Sequence, residues 1–282
     1  LVLLLVAGGC GRIGFDPGDL TDLGDTDDVD PPDASRLCGG HDEDGDGVGD
    51  ACDNCPTIPN ADQANDGELD AGDAADVVGD ACDPRPAIGG DYLGWIDVFT
   101  SDTTGDYATL GDVMWDGADG LLLGDDGPDG IGAISFEAAP QFGRVHWHAQ
   151  RLTASTTEPS YYGAWTNIGA ADLSDSVFAH VADDPDDGLE PNTVIKESTG
   201  GGGERYSDFV RFAAPIDGDL VRFTFDTPLA TGGDATYRYD VLGAGDSQVV
   251  AIDLSRPYTG AYEIEAVRTS IRLLSLVVYA IE

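Results

Sequence analysis

Positive charge is almost missing from this chain. Only 13 Lys and Arg stand against 54 Asp and Glu in 282 residues, a formal charge of −41, and Lys196 is the single lysine. A surface this negative repels phosphate backbones and anionic headgroups, which excludes nucleic-acid binding and polybasic membrane docking. Long apolar runs are missing too: no stretch approaches the roughly 18 residues needed to span a bilayer. Nor does any helix-length amphipathic period stand out. What remains is 41% hydrophobic residues, too many for a disordered polyanion, with 39 Gly and 15 Pro marking many turns. The expectation is a globular, loop-rich protein whose natural ligands are cations.

The chain divides by composition. Residues 1–10, LVLLLVAGGC, are an apolar run ending in small residues and Cys10. They resemble the tail of a bacterial lipoprotein signal, in which small residues precede the cysteine that becomes lipidated, although Ala7 stands where that motif usually has Leu. A truncated secretory signal is the other reading, and both imply export, with membrane contact only through a lipid anchor at Cys10. Residues 11–37 are rich in Asp, Gly, Pro and Thr and too poor in apolar groups to order themselves, so they read as an acidic, flexible linker. Four of the five cysteines lie between Cys38 and Asp83, and the first 90 residues hold 22 acids against 3 bases.

The most informative stretch is DEDGDGVGDACDNCPTIPNADQAN, Asp42 to Asn65. Calcium takes six to eight oxygen ligands, and a twelve-residue loop offers them from positions 1, 3, 5, 7, 9 and 12 with Gly at 6 for the turn. Counted from Asp42 these are Asp42, Asp44, Asp46, Val48 (through its carbonyl), Asp50 and Asp53, with Gly47 at the turn. Flanking helices are absent, since Cys-Gly-Gly precedes the loop and Cys-Pro follows it, so this is not an EF-hand. Carboxylates about 5 Å apart repel by roughly 3 kcal/mol per pair at an effective dielectric of 20, so the loop needs its cation. The second half, DGELDAGDAADVVGDACD, ends in the same GDxCD phrase. Counted back from Asp83, however, Gly72, Ala74 and Val77 occupy positions 1, 3 and 6. A second ion there would require Asp66, Asp70, Asp73, Asp76, Asp80 and Asp83 to gather around it through an insertion.

Cys38, Cys52, Cys55 and Cys82 permit three disulfide pairings, and an exported chain favours oxidation over zinc. The whole segment 38–90 resembles the thrombospondin type 3 repeat, DxDxDGxGDxCDNCPxxxNxDQ. Asp42, Asp44, Asp46, Gly47, Gly49, Asp50, Cys52, Asp53, Asn54, Cys55, Pro56, Asn60, Asp62 and Gln63 all fall in place. The resemblance implies calcium as cofactor and pairing of successive cysteines, Cys38 with Cys52 and Cys55 with Cys82. Disulfides of about 3 kcal/mol each, together with calcium, would replace a hydrophobic core that so polar a segment cannot build.

From residue 91 to 282 the material changes to strand-like runs: RVHWHAQRL, SDFVRFAA, DLVRFTFD, ATYRYDVL, SQVVAID and SIRLLSLVVYAI. In the third, Val221, Phe223 and Phe225 alternate with Arg222, Thr224 and Asp226, the period of a sheet with one buried face. The expected fold class is mainly β, a C-terminal β-sandwich of the jelly-roll, concanavalin- or laminin G-like kind, preceded by an irregular repeat held by calcium and disulfides. In thrombospondins a lectin-like sandwich follows the type 3 repeats, which makes the domain order suggestive.

Catalytic constellations are sparse. Gly245-Asp246-Ser247 lacks the downstream His of a lipase-like hydrolase, because the last His is His180. Glu263-Ile264-Glu265 comes nearest to the acidic strand ExDxxE of laminarinase-type glycosidases but lacks its third acid. His146 and His148 share a strand face at metal-binding spacing, and the loops Asp125, Asp126, Asp129 and Asp183, Asp184, Asp186, Asp187 are possible calcium rims. Trp115, Tyr161, Tyr162 and Trp165 are read as core before sugar platform. The function expected is therefore a non-enzymatic, calcium-binding surface protein that presents its sandwich for adhesion or glycan binding. The competing reading is a glycan-active hydrolase.

Overall fold

In the computed structural model the described residues are 40–117, 120–137, 142–155, 157–166, 176–183, 191–199, 203–211, 218–227, 234–243, 245–255 and 261–281. The proposed signal segment, the acidic linker and Cys38 lie outside them. Segment 40–90 is turns and loops, with one five-residue helix, α1 (Gly67–Ala71), that closes on Gly72 in the left-handed region.

From Asp91 onward the chain is β. One sheet, here sheet A, has the order β14-β13-β12-β6-β16-β4-β3. Its strands are β14 (Asp246–Asp253), β13 (Asp234–Val241), β12 (Leu220–Asp226), β6 (Phe142–Ala154), β16 (Thr269–Ile281), β4 (Leu121–Leu123) and β3 (Val113–Trp115), and β1 (Asp91–Asp97) also pairs with β16. Sheet B runs β10-β9-β8-β7-β15-β5-β2. These are β10 (Gly203–Tyr206), β9 (Asn192–Thr199), β8 (Ser176–Asp183), β7 (Ser160–Thr166), β15 (Ala261–Val267), β5 (Ile131–Glu137) and β2 (Ala108–Gly111), with β11 (Val210–Arg211) beside β9. Every pairing is antiparallel. The two sheets form a sandwich.

The core between them follows from alternation. Val221, Phe223 and Phe225 of β12 point inward with Val145, Trp147 and Ala149 of β6 and Tyr237 and Tyr239 of β13. Trp147 stacks on Phe223 with ring centroids 3.8 Å apart. Sheet B answers with Tyr162, Ala164, Val177, Ala179, Ile195 and Ile264. The hydroxyls of Tyr162 and Tyr239 meet across the sandwich at 3.3 Å, so two buried polar groups satisfy each other.

β16 departs from alternation in a way that locates the repeat. Leu276 and Val278 face the core, yet Val277 and Tyr279 on the opposite side are also fully buried. They are covered by Cys55, Val78 and Cys82 of the segment 40–90, with Ile58 and Ile96 at the margin. The repeat therefore lies on the outer face of sheet A, and its apolar cluster is one it shares with the sandwich. Arg144 of β6 reinforces the contact, donating to the Cys82 carbonyl at 2.8 Å while paired with Asp226.

Candidate functional site

Three surfaces carry candidate chemistry: the aspartate loop, a second acidic cluster at the junction with β1, and the outer face of sheet B.

The aspartate loop winds around its own carboxylates. Asp42 Oδ1 and Oδ2 accept the amides of Gly45 and Gly47 at 2.9 and 3.1 Å. Asp44 Oδ1 accepts the Asp46 amide, and Asp46 Oδ1 the Val48 amide. Gly47, the expected turn, has φ +96°, a conformation that nearly every side chain would strain. Oxygens of Asp42, Asp44 and Asp46 come within 4.8 Å of one another. Asp44 Oδ2 is buried with no hydrogen-bond partner, and burial, added to the charges of Asp46, Asp53 and Asp42, pushes its pKa up to about 6. Among the six residues expected to hold calcium, these three converge. Asp53 stands just behind them, with Oδ1 accepting from the Cys55 amide and Gln63 and Oδ2 buried without a partner. Asp50 is turned away, its two oxygens taken by the Glu43 amide and by His41. Val48 keeps its place after the turn. The remaining polar residues of the motif form the inside of the loop: Asn54 donates to the Gln63 carbonyl, Asn60 donates to Asn54, and Gln63 donates to Asp53.

Cys55 and Cys82 form a disulfide with Cα atoms 5.5 Å apart, the pairing implied by the resemblance. Cys52 is also disulfide-bonded, and its implied partner Cys38 lies outside the described residues.

The acidic cluster at the junction joins Glu68 of α1, Asp76 and Asp83, whose oxygens also lie within 4.8 Å of one another. Glu68 was not among the acids expected there. Asp66, Asp70 and Asp73 do not join the cluster, and Asp80 caps α1, accepting the amides of Asp66 and Gly67. Burial, with the carboxyls of Asp91 and Glu68 alongside, pushes Asp83 up to about 8.

His146 and His148 do share a strand face, with Nε2 atoms 3.3 Å apart. That face is under the repeat, where His148 meets Glu43 and His146 meets Thr224. A cavity of about 380 Å³ between the repeat and sheet A is lined by His41, Glu43, Asp44 and His148. Of the acidic loops, Asp125 accepts the Gly127 amide and Asp183 faces Arg151, while Asp184, Asp186 and Asp187 lie outside the described residues.

The outer face of sheet B is different in kind. Register places Ser135, Glu263, Trp165, Phe178, Lys196 and Tyr206 in one row across five inter-strand steps. The next row holds Ala133, Glu265, Gly163, His180 and Val194. Trp165 stacks on Phe178 at 3.8 Å and 10°, and Phe178 on His180 at 4.3 Å. The row is buried at its centre and open at its end: Trp165 is 9% exposed, whereas Tyr206 is 46% and Phe209 61% exposed, their rings stacked 6.1 Å apart. Lys196 lies over the Tyr206 ring and pairs with Glu204 at 2.6 Å. Glu263 and Glu265 occupy alternate positions of β15, so both carboxylates share this face. Glu265 accepts from the Trp165 indole at 2.7 Å. Burial, and the charge of Glu265, push Glu263 up to about 7. Of the four aromatics read as core, Tyr162 is core and Trp115 packs against it, while Tyr161 and Trp165 lie on this outer face.

No protein-family model matches the chain, and no curated protein matches it in sequence. Solved structures match it in fold. The CBM2 module of the evolved Dit of Lactobacillus casei BL23 phage J-1 superposes with a TM-score of 0.52 at 11% identity, covering 68% of this chain and 96% of that one. The fold is an antiparallel two-sheet β-sandwich. The legume lectin-like domain from Entamoeba histolytica gives 0.48 at 13% identity over 63% of this chain and 91% of its own. Bacillus licheniformis β-glucanase gives 0.47 at 11% over 69% and 99%. At such identities the likeness is one of fold alone, and function has to be argued from the sandwich's own side chains.

Proposed function

We propose that this chain is an exported, calcium-binding surface protein of the thrombospondin type 3 repeat kind, lipid-anchored at Cys10, whose lectin-like sandwich binds glycan on the outer face of sheet B. One observation carries the reading. The outer face of sheet A is occupied by the repeat, while that of sheet B carries a row of planar side chains ending in an exposed aromatic pair beside Lys196 and Glu204. Stacked aromatics flanked by hydrogen-bonding charges suit a sugar ring, which presents an apolar face and a polar rim.

The aspartate loop fits calcium in donor chemistry: Asp42, Asp44 and Asp46 offer only hard oxygen, and Asp44 has a buried oxygen with no other partner. Its calcium would neutralise mutual repulsion and fix the loop, with no part in contacting the glycan. The test is a glycan array probed with the full chain in calcium, followed by titration of the best-bound sugar. Tyr206→Ala and Phe209→Ala should each weaken binding by about tenfold or more, the usual effect of removing an anchoring aromatic. An array that stays blank, or affinity unchanged in both variants, rejects the reading.

A hydrolase is the second reading, favoured by Glu263, which keeps a proton near neutral pH beside a second carboxyl on the same strand face. An acid with a raised pKa beside a carboxylate is the arrangement glycoside cleavage needs. Release of reducing sugar from a bound polysaccharide, abolished by Glu263→Gln, would establish it. Binding without release leaves the first reading.

A further inference from the structure

The second half of the repeat has lost the pattern that makes the first half a calcium loop, with Gly72, Ala74 and Val77 at three of its defining positions. The fold supplies a replacement from outside that pattern. Helix α1 is set so close to the following turn that a Cβ on Gly67 would lie 2.1 Å from the Pro86 carbonyl oxygen. A Cβ on Gly89 would likewise lie 2.1 Å from the Ala74 carbonyl oxygen. This close packing carries Glu68 inward. Its side chain is fully buried, and neither carboxylate oxygen has a hydrogen-bond partner. Asp83, 3% exposed, also has a buried oxygen without a partner.

A buried carboxylate with two idle oxygens costs several kcal/mol, and among the described residues no basic side chain pairs with this one to offset it. The nearby guanidinium, Arg85, is spent on Asp91. The cluster is built of oxygen alone, since Cys55 and Cys82 are bonded to each other. Hard oxygen donors of high negative charge select calcium or magnesium over zinc or copper, and calcium tolerates the irregular geometry of a bidentate glutamate among aspartates.

We infer that Glu68, Asp76 and Asp83 form a second calcium site, distinct from the aspartate loop, at the joint between the repeat and the sandwich. Its place gives it a mechanical role. Asp76 Oδ2 accepts the amide of Asp91, the first residue of β1, at 2.7 Å. The carbonyl of Cys82, next to Asp83, is the group that Arg144 of sheet A holds. An ion bridging Glu68, Asp76 and Asp83 would tie α1, the end of the repeat and the start of β1 together. The aspartate loop lies at the other end of the repeat, so each site can be removed alone.

The experiment counts ions on the full chain. After chelator treatment and exchange, calcium is titrated calorimetrically in the wild type, in Glu68→Gln, and in the triple variant Asp42→Asn, Asp44→Asn, Asp46→Asn. Glu68→Gln keeps shape while halving the oxygen donors of that side chain. Two equivalents are expected in the wild type. Glu68→Gln should bind one tightly and weaken the other at least about tenfold. The triple variant should retain one equivalent, which Glu68→Gln added to it then weakens, so the junction site is read even if the aspartate loop binds nothing. Stoichiometry and affinity unchanged by Glu68→Gln in both backgrounds would overturn the inference. A far-ultraviolet spectrum matching wild type separates ligand loss from misfolding. Should Glu68→Gln fail to fold, Asp83→Asn takes its place with the same expected and overturning outcomes.

Discussion

Residues 40–90 and residues 91–281 are stabilised by opposite means. In the sandwich the large buried side chains are Trp147, Phe223, Phe225, Tyr237 and Tyr262, packed in alternating rows between two sheets. In the repeat the buried side chains include Asp53, Asn60, Glu68 and Asp83, and the apolar remainder is Cys55, Val78 and Cys82 leaning on Val277 and Tyr279. Packing of the first kind is indifferent to redox state and to divalent ions. Burial of the second kind is favourable only if sulfur bridges restrict the unfolded chain and cations neutralise the carboxylates. One chain thus contains a part that depends on its surroundings and a part that does not, joined along the outer face of sheet A.

The strongest way to break that contrast is to remove both supports at once. Chelation together with reduction should abolish the order of residues 40–90, because bridges worth about 3 kcal/mol each and the ion contribution are lost together. Hydrogen exchange should then rise throughout the repeat and at Val277 and Tyr279 beneath it, while the amides of β12 and β13 stay protected. Equal protection in both parts after treatment would mean the repeat is held by packing after all.

The converse perturbation is Phe223→Ala. It removes a fully buried ring stacked on Trp147 and Tyr237, and should lower sandwich stability by about 3–5 kcal/mol with or without calcium. Denaturant unfolding followed by the fluorescence of Trp147 and its neighbours checks this. A calcium-dependent loss would show that the two parts are not separable.

These contrasts also explain what could be read in advance. β12 and β13 were legible because each has one core face and one wet face, so Val221, Phe223 and Phe225 alternate cleanly. β8 and β9 carry no such signal: SVFAHVAD and NTVIKEST are buried on both faces, which erases the alternation. The final strand was read, but nothing local to SLVVYAI says that its outer side is covered by residues from the other end of the chain. The aspartate loop was legible because backbone geometry fixes its spacing. Glu68 was not, since it enters its cluster from a helix that precedes the repeat's own register, and only the close approach at Gly67 and Gly89 brings it there. The planar row on sheet B depends on register among β7, β8 and β9, a long-range pairing that sequence spacing does not encode.

The smallest expected effect distinguishes two of the residues that titrate on sheet B's outer face, where burial raises Glu265 as well. Burial, then the charge of Lys196, lowers His180 to about 4 from its ordinary 6.5. Its contribution to stability is therefore complete above pH 6.5 and is lost as pH falls toward 4. Glu263 works in the opposite sense: with its pKa raised to about 7 from 4.5, it contributes fully below pH 4.5, and that contribution is lost as pH rises through 7. The two slopes oppose each other over nearly the same window, so the wild-type thermal midpoint in saturating calcium should change little between pH 4.5 and 7 on their account. His180→Gln leaves Glu263 uncompensated, and its midpoint should fall relative to wild type as pH rises. Glu263→Gln should do the reverse, falling as pH drops. Thermal melts at half-unit pH steps measure both, and parallel profiles for the two variants would mean this face is wetter than its burial indicates.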